Sequence, residues 1–290
     1  MKKIFEGLIF EWIDGRTYHL GISDTDISSF ILTMGSNRRL ESVRDKLDVL
    51  REGGERLNWV LGYYRDILIF AFNSGMGVGS ASIAYTEVLK KVLDNALTSY
   101  IVRIGTAGSL NPEVKEYSIV IADAAVRNEH ASTNIIYPEY PSNMDPIIYL
   151  TALSTSIEHG YKMGENLFLG KVETKDDLYF QEGFHNSPLN RYLEERYEAY
   201  MRMGVLASEM EVSILPILRD YFKSISKSMG INIGIYVGGI FLILGENKDK
   251  EEIAREEDKL IHIGLDTLYN IDKFFKGEYR LDNILRYISG

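Results

Sequence analysis

The 290-residue chain contains no cysteine, which excludes disulfide bonds, a thiolate nucleophile and a cysteine-ligated metal site. Glutamine occurs only once, at Gln181, and this scarcity together with the absent cysteine fits a heat-adapted organism. Basic residues are fewer than acidic ones, 32 against 42, and the net charge is −10. That balance argues against a broad nucleic-acid surface, but a few arginines in one pocket can still hold a small anion.

Long apolar runs are also absent. No stretch reaches about 18 uncharged apolar residues, and Glu6, Glu11 and Asp14 interrupt the apolar residues at the start of the chain. We therefore expect no membrane span, no signal peptide and a cytoplasmic location. Only 6 prolines occur and no linker-like stretch is found, so the sequence predicts a single domain over residues 1–290, with residues 1–16 as an N-terminal extension.

Apolar, β-branched runs alternate with segments of helical period, which is typical of strands joined by helices. We predict an α/β fold: a central mixed, largely parallel β-sheet flanked by helices. Helices are predicted at residues 80–100, 210–225 and 251–275, and strands at residues 30–34, 67–73, 100–104, 118–124, 167–172 and 231–237.

Glycine-rich turns follow three of these predicted strands. They begin at Gly35, at Gly75 and at Gly105. Ligands in such sheets bind beyond the carboxyl ends of the strands, so the three turns predict one crevice lined by backbone N–H groups. A structural alternative remains open, in which the glycines only let helices and strands pack closely.

The segment Gly75-Met76-Gly77-Val78-Gly79-Ser80 has glycines spaced like those of a dinucleotide site. Such a site also needs a carboxylate at the end of the next strand, and that strand ends in Arg103-Ile104-Gly105-Thr106. No Gly-Lys-Ser/Thr follows the glycines, which excludes a P-loop. We therefore expect neither an NAD site nor a P-loop nucleotide site.

Arg103 lies at the end of a predicted buried strand, followed by Thr106 and two glycines. A buried guanidinium needs a partner, and a bidentate arginine with a hydroxyl and free backbone amides suits phosphate. An internal carboxylate could serve as that partner equally well.

The triplet Glu209-Met210-Glu211 is predicted at the start of a helix. Acidic residues there could simply offset the helix dipole. Alternatively, one carboxylate could accept hydrogen bonds from two ribose hydroxyls while Met210 packs on the sugar. His19 stands alone beside an apolar segment, and the remaining histidines show no metal-ligand spacing, so no metal site is expected.

Taken together and in this order, the motifs resemble the uridine phosphorylase branch of the nucleoside phosphorylase family. The resemblance runs from Tyr18 to the final helix. It is carried by Tyr18–Gly21, Met34–Arg39, Ser74–Ala84, Arg103–Gly108, Ala124–Arg127 with Tyr137–Pro141, and Gly204–Ser213.

The resemblance implies the nucleoside phosphorylase fold and cleavage of a ribonucleoside, uridine first among them, by inorganic phosphate. It implies hexamers built from dimers, with Arg56 and His19 reaching a neighbouring subunit's site. Phosphate is a substrate, and no cofactor, nucleic acid or membrane is expected. Implied phosphate ligands are Gly35, Arg39, Arg56, Arg103 and Thr106. Implied ribose ligands are His19, Thr106, Met210 and Glu211, with Arg103 and Glu211 as the catalytic residues.

The implied base pocket contains Gly108, Tyr179, Gln181 and Glu209. It departs from the family twice. Gly183 stands where the family's Gln-x-Arg element has arginine, and residues 239–245 carry neither the Asn-Arg of uridine enzymes nor the Ser-Asp of purine enzymes. A purine or modified-nucleoside phosphorylase, a nucleosidase and a non-catalytic nucleoside-binding protein therefore stay open as alternatives.

Overall fold

A computed structural model describes residues 11–12, 14–181, 187–246, 249–282 and 284. Its ten strands form one mixed sheet, in the order β10-β6-β8-β9-β5-β1-β4-β3-β2, with β7 paired to β6. The strands are β1 (Phe30–Met34), β2 (Asp48–Gly54), β3 (Asn58–Tyr64), β4 (Ile67–Asn73), β5 (Ser99–Ser109), β6 (Ile119–Asn128), β7 (Ser142–Asn143), β8 (Leu167–Lys175), β9 (Val205–Glu209) and β10 (Ile235–Leu244).

Part of the sheet closes on itself, because β5 pairs with β10 as well as with β9 and β1. The ring β5-β10-β6-β8-β9 encloses a small apolar cluster that includes Val172, Ala207 and Phe241. Strands β1 and β4 run parallel beside β5, and the β2–β3 hairpin extends the sheet in antiparallel pairing. The expectation of a mixed sheet flanked by helices is confirmed.

Six helices cover the sheet: α1 (Asn37–Arg44), α2 (Val78–Asp94), α3 (Pro146–Glu158), α4 (Asn190–Arg202), α5 (Ile214–Ser228) and α6 (Lys250–Phe275). Apolar residues of α1, α3 and α6 form one core cluster with the strands, and those of α2 and α5 form another. None of the helices in the described ranges is long and apolar enough to cross a membrane.

Several expectations about element boundaries were wrong, among them the helix expected to reach residue 100, which ends at Asp94. The last strand begins at Ile235 rather than at residue 231, and it continues through Gly238 and Gly239. Those glycines are required there: a Cβ at Gly238 would lie 2.5 Å from Cγ2 of Ile148. The strand therefore carries glycine for close packing against α3 and is not broken by it.

The Glu209-Met210-Glu211 triplet does not start a helix. Glu209 is the last residue of β9, where it pairs with Thr174 of β8, and α5 begins only at Ile214. The carboxylate of Glu209 accepts hydrogen bonds from the backbone amides of Glu211 and Val212. The side chain of Glu209 thus shapes the turn between β9 and α5. It does not lie in the first turn of a helix, where it would offset the helix dipole.

Candidate active site

Arg103 lies on β5 at the centre of the predicted crevice and is 3% exposed. Its Nη2 donates to Glu211, and its Nη1 lies 3.2 Å from Ser74 Oγ and 3.4 Å from the hydroxyl of Tyr85. Its Nε lies 3.5 Å from a carboxylate oxygen of Glu209. Burial lowers the pKa of Arg103, but the two carboxylates and the tyrosine outweigh burial and raise it overall. The guanidinium is therefore charged at any physiological pH.

Glu209 is buried, and its carboxylate accepts three hydrogen bonds from residues of the described ranges. Besides two backbone amides, its carboxylate accepts the hydroxyl hydrogen of Thr174. Burial raises the pKa of Glu209 to about 7, although Arg103 opposes this, and the nearby charge of Glu211 adds to it. Glu209 therefore faces Arg103 as an ion-pair partner at 3.5 Å, while Nε of Arg103 has no hydrogen-bond partner among the described residues.

Glu211 connects the second glycine-rich turn to Arg103. Its Oε1 accepts the backbone N–H of Gly77 at 2.8 Å, at the first residue before α2, while its Oε2 accepts from the guanidinium. Gly35 packs against this pair: a Cβ there would lie 3.7 Å from Nη2 of Arg103 and 3.9 Å from Oε1 of Glu211. The first two glycine turns and β5 therefore meet at one point, as the sequence predicted.

Arg39 approaches the same point from α1. Its Nη2 lies 3.4 Å from Thr106 Oγ1, and its Nε donates to Glu257 of α6 at 3.2 Å. Burial, with a contribution from Arg103, lowers the pKa of Arg39 even though Glu257 raises it. Ser36 caps the amino end of α1, so Gly35 lies where a helix presents free N–H groups. Two guanidinium groups, a hydroxyl and a helix amino terminus thus converge, which is the donor set that an anion requires.

Three of the four predicted base residues lie further along the same edge, and the fourth, Glu209, lies beside Arg103 instead. Gly108 pairs with Ser208 of β9, next to the buried carboxylate of Glu173 on β8. Gln181 is half-buried, and Tyr179 is 67% exposed. Gly183 lies outside the described residues.

His19 and Arg56 lie beside each other, and within the described residues no hydrogen bond or ion pair joins either of them to Arg103. The backbone N–H of Arg56 donates to the carbonyl of His19, and the guanidinium of Arg56 stacks on Tyr18. Nδ1 of His19 donates to the carboxylate of Glu87 at 2.7 Å. A cavity of about 380 Å³ is lined by Gly21 and Glu55, among others, and by none of the residues around Arg103. Met210 is half-buried in the turn after β9.

Sequence reasoning missed several side chains that complete the crevice. Tyr85 sits in an ordinary amphipathic helix, and Glu257 belongs to a charged helix start, so neither stands out from its neighbours in sequence. Sequence reasoning also missed three residues around Gln181 that are far apart in the chain: Asn128, Glu173 and Arg196. In the described ranges, no group of three or more His, Asp and Glu side chains could hold a metal ion.

Residues 29–218 match the family model described as the phosphorylase superfamily. Among curated proteins, the chain is 25% identical over 231 residues to a uridine phosphorylase of Treponema pallidum, covering 79% of this chain and 81% of that protein. It is 27% identical over 261 residues to a DeoD-type purine nucleoside phosphorylase of Caldanaerobacter subterraneus, covering 86% of this chain and 98% of that protein.

Among solved structures, uridine phosphorylase from Vibrio fischeri superposes with a TM-score of 0.70 at 19% identity, covering 89% of this chain and 99% of that one. At this identity the structural likeness concerns the fold. It agrees with the mixed sheet and flanking helices described above.

Proposed function

The chain belongs to the phosphorylase superfamily, and from this premise we propose that it cleaves the N-glycosidic bond of a ribonucleoside with inorganic phosphate, with uridine as the preferred substrate. The products are the free base and ribose 1-phosphate, which makes the enzyme a pentosyltransferase. Its relatives carry the names of both uridine and purine nucleoside phosphorylases, so the choice of base has to be argued from this chain's own side chains.

One observation carries the proposal of phosphorolysis: Arg39, Arg103 and Thr106 meet at the amino end of α1, directly beside Glu211. A nucleosidase that uses water has no need for two converging guanidinium groups. Phosphate fits there because each of its oxygens can accept from a different donor. Glu211 lies next to that position, where a carboxylate can accept both ribose hydroxyls.

The charge balance supports a site completed by a second copy of the chain. Arg38 and Arg39 both contact Glu257, and Arg103 contacts the carboxylates of Glu209 and Glu211. Three guanidinium groups therefore face three carboxylates, and because the pKa of Glu209 is raised to about 7, the set holds at most one excess positive charge for a phosphate dianion at neutral pH. Another cation has to come from outside this set.

Arg56 is suited to be that cation. It forms a polar pair with His19, held by a backbone hydrogen bond, and no ion pair occupies its guanidinium within the described residues. We propose that Arg56 of the partner subunit reaches the phosphate and that the partner's His19 reaches the ribose. A symmetric dimer then completes two sites at once, and three such dimers give the hexamer that the resemblance implies.

In the proposed reaction, a phosphate oxygen donates an electron pair to the anomeric carbon while the bond from that carbon to the base nitrogen breaks. The bonding pair leaves on the base, and positive charge develops on the ribose ring. Arg103 and Arg39 hold the nucleophile, Glu211 fixes the sugar, and the enzyme forms no covalent intermediate. Catalysis then rests on positioning and on charges fixed before the reaction.

The preference for uridine rests on what borders the base. Residues 239–245, where the resemblance expects the Asn-Arg or Ser-Asp that contacts the base, carry only apolar side chains and glycine, and residues 240–243 of β10 are buried. This strand therefore offers no acid to protonate a departing purine. A uracil base leaves as an anion that hydrogen-bond donors alone can stabilise, and Gln181 supplies an amide at that end of the crevice.

Release of free base from uridine, thymidine, inosine, adenosine and methylthioadenosine, each with and without phosphate, tests the proposal. Phosphate-dependent cleavage that is fastest with uridine supports both the proposed reaction and the proposed base. Phosphate-dependent cleavage that is fastest with a purine nucleoside would overturn the proposed base but not the proposed reaction. Cleavage without phosphate would identify a nucleosidase. Binding without turnover would identify a non-catalytic binding protein.

A further inference from the structure

Asn128, at the end of β6, joins three polar residues from separate parts of the chain. Its Nδ2 donates to Oε1 of Glu173 at 2.7 Å and lies 3.3 Å from Oε1 of Gln181. Its Oδ1 accepts from Nη1 of Arg196 at 2.9 Å. Glu173 is fully buried and also accepts the hydroxyl hydrogen of Ser208 at 2.7 Å.

The chemistry of these partners fixes which way each amide faces. A carboxylate only accepts hydrogen bonds and a guanidinium only donates them, so the Asn128 amide nitrogen must face Glu173 and its oxygen must face Arg196. That nitrogen is a donor, and Gln181 therefore has to turn its own oxygen toward it. The Nε2 group of Gln181 is left pointing away from this network and donates to no residue in the described ranges.

Arg196 is held firmly in place on α4. Its guanidinium carbon lies 5.6 Å and 5.4 Å from the ring centres of Tyr192 and Tyr197, and the hydroxyl of Tyr197 donates to the carbonyl of Gln181 at 2.7 Å. Its Nε and Nη2 are buried and meet no acceptor within the described part of the chain. The surroundings of Gln181 thus contain more donors than acceptors.

This network borders the base end of the crevice. Glu173 pairs with Ser208 across β8 and β9, and Ser208 pairs with Gly108 on β5. One residue further along β8 and β9, Thr174 and Glu209 pair below Arg103. The order along the edge therefore runs from the phosphate ligands to the turn of Glu211 and then to Asn128 and Gln181.

We propose that Asn128 and Glu173 are positioning residues that lock the amide of Gln181 with its N–H donors toward the base, so that the enzyme selects bases presenting a carbonyl oxygen over bases presenting an amino group. Arg196 completes the lock and contributes positive charge from α4. It provides the guanidinium that the resemblance expects two residues after Gln181, where the sequence has glycine. The inference rests on the proposed function.

The same arrangement assists departure of the base. Electron density moves onto the carbonyl oxygens of uracil as the bond to ribose breaks. A fixed N–H donor and a nearby guanidinium favour that charge more strongly in the transition state than in the bound nucleoside. Loss of the lock should therefore lower kcat for a keto nucleoside more than it raises KM.

The test compares uridine with cytidine, which differ by a carbonyl and an amino group at one ring position. Asn128→Ala releases the Gln181 amide, and we expect the ratio of kcat/KM for uridine over cytidine to fall by about tenfold or more. Gln181→Glu replaces the donor by an acceptor and should shift the preference toward cytidine. Asn166→Ala, in the exposed turn before β8, is the matched control and should leave the ratio unchanged.

Binding of free uracil and cytosine in the presence of ribose 1-phosphate, measured by calorimetry, separates this inference from the proposed function. Wild-type protein that binds uracil more tightly than cytosine, with the preference lost in Asn128→Ala, supports the inference even if turnover is slow. An unchanged preference in both Asn128→Ala and Gln181→Glu would overturn it. Absence of phosphate-dependent cleavage of every nucleoside would instead overturn the proposed function. Because Gln181 is half-buried, its variant gives a result even if Asn128→Ala does not fold.

Discussion

Replacing Glu211 by glutamine changes the side chain that joins Arg103 to the second glycine-rich turn. The carboxylate accepts from Gly77 at one oxygen and from the guanidinium at the other. A glutamine of the same shape has only one acceptor oxygen. Either its NH2 group faces the guanidinium, or it faces the amide of Gly77. In both orientations one buried donor loses its partner.

The expected magnitudes follow from these contacts. A hydrogen bond to a charged group contributes about 1.5–3 kcal/mol, and breaking a buried ion pair costs about 3–5 kcal/mol when the remaining charge has no other partner. Arg103 keeps Glu209 at 3.5 Å, so the loss of folding free energy should lie near the lower values, about 2–3 kcal/mol. A similar loss in the transition state lowers kcat by about 10²-fold, since each 1.36 kcal/mol is a factor of ten.

Denaturant unfolding gives the change in stability, and initial rates at varied uridine and phosphate separate the two substrates. Glu165→Gln is the control, because that carboxylate is 68% exposed and pairs with Lys162 on the surface. The reasoning is refuted if folded Glu211→Gln keeps kcat and the KM for nucleoside within twofold of the wild-type values.

Three further changes have distinct expected results. Arg39→Gln should raise the KM for phosphate by about tenfold or more and leave the KM for nucleoside nearly unchanged, because this arginine contacts the phosphate end alone; equal effects on both substrates in steady-state kinetics would contradict that assignment. Burial raises the pKa of Glu209 to about 7 from an ordinary value near 4.5, so the folded state binds the proton more tightly than the unfolded state does. The unfolding free energy should therefore fall by roughly 3 kcal/mol as the pH rises from about 4.5 to 7. In denaturant titrations at several pH values, Glu209→Gln should flatten that dependence. Lys91→Met removes a buried ammonium that donates to Glu11, Asp24 and a backbone carbonyl. The free energy of unfolding should fall by about 1–3 kcal/mol, and limited proteolysis should cut the chain before residue 24 more readily. Unchanged cleavage would show that this contact does not hold that segment.

The convergence of Gly35, Arg103 and Thr106 was predictable because a sheet gathers the carboxyl ends of its strands at one edge. The sequence places small residues and an arginine at those ends, and the structure brings them together. For Arg103, reasoning from the residues left phosphate and a carboxylate equally open. In the structure its charged partners are the carboxylates of Glu209 and Glu211, and Arg39 and Thr106 lie close by.

Other parts of the molecule could not be read from local pattern. Strand β2 is exposed along its whole length and so carries no apolar alternation. Helix α4 buries only Leu193, so its sequence shows no helical repeat of apolar residues. Glu257 reaches Arg39 across 218 residues of sequence, and Arg196 reaches Asn128 across 68. Such pairings are set by how helices pack on the sheet, which single-sequence periodicity does not encode.

The central claim is that phosphate, held by Arg39, Arg103 and Thr106, is the acceptor of the ribosyl group. Phosphorus-31 NMR of the protein with uridine and inorganic phosphate tests this most directly, because it reports the product itself. The account predicts that ribose 1-phosphate appears in step with free uracil and that both fall together in Arg103→Lys. Free uracil formed with unesterified ribose, and with the phosphate signal unchanged, would contradict it.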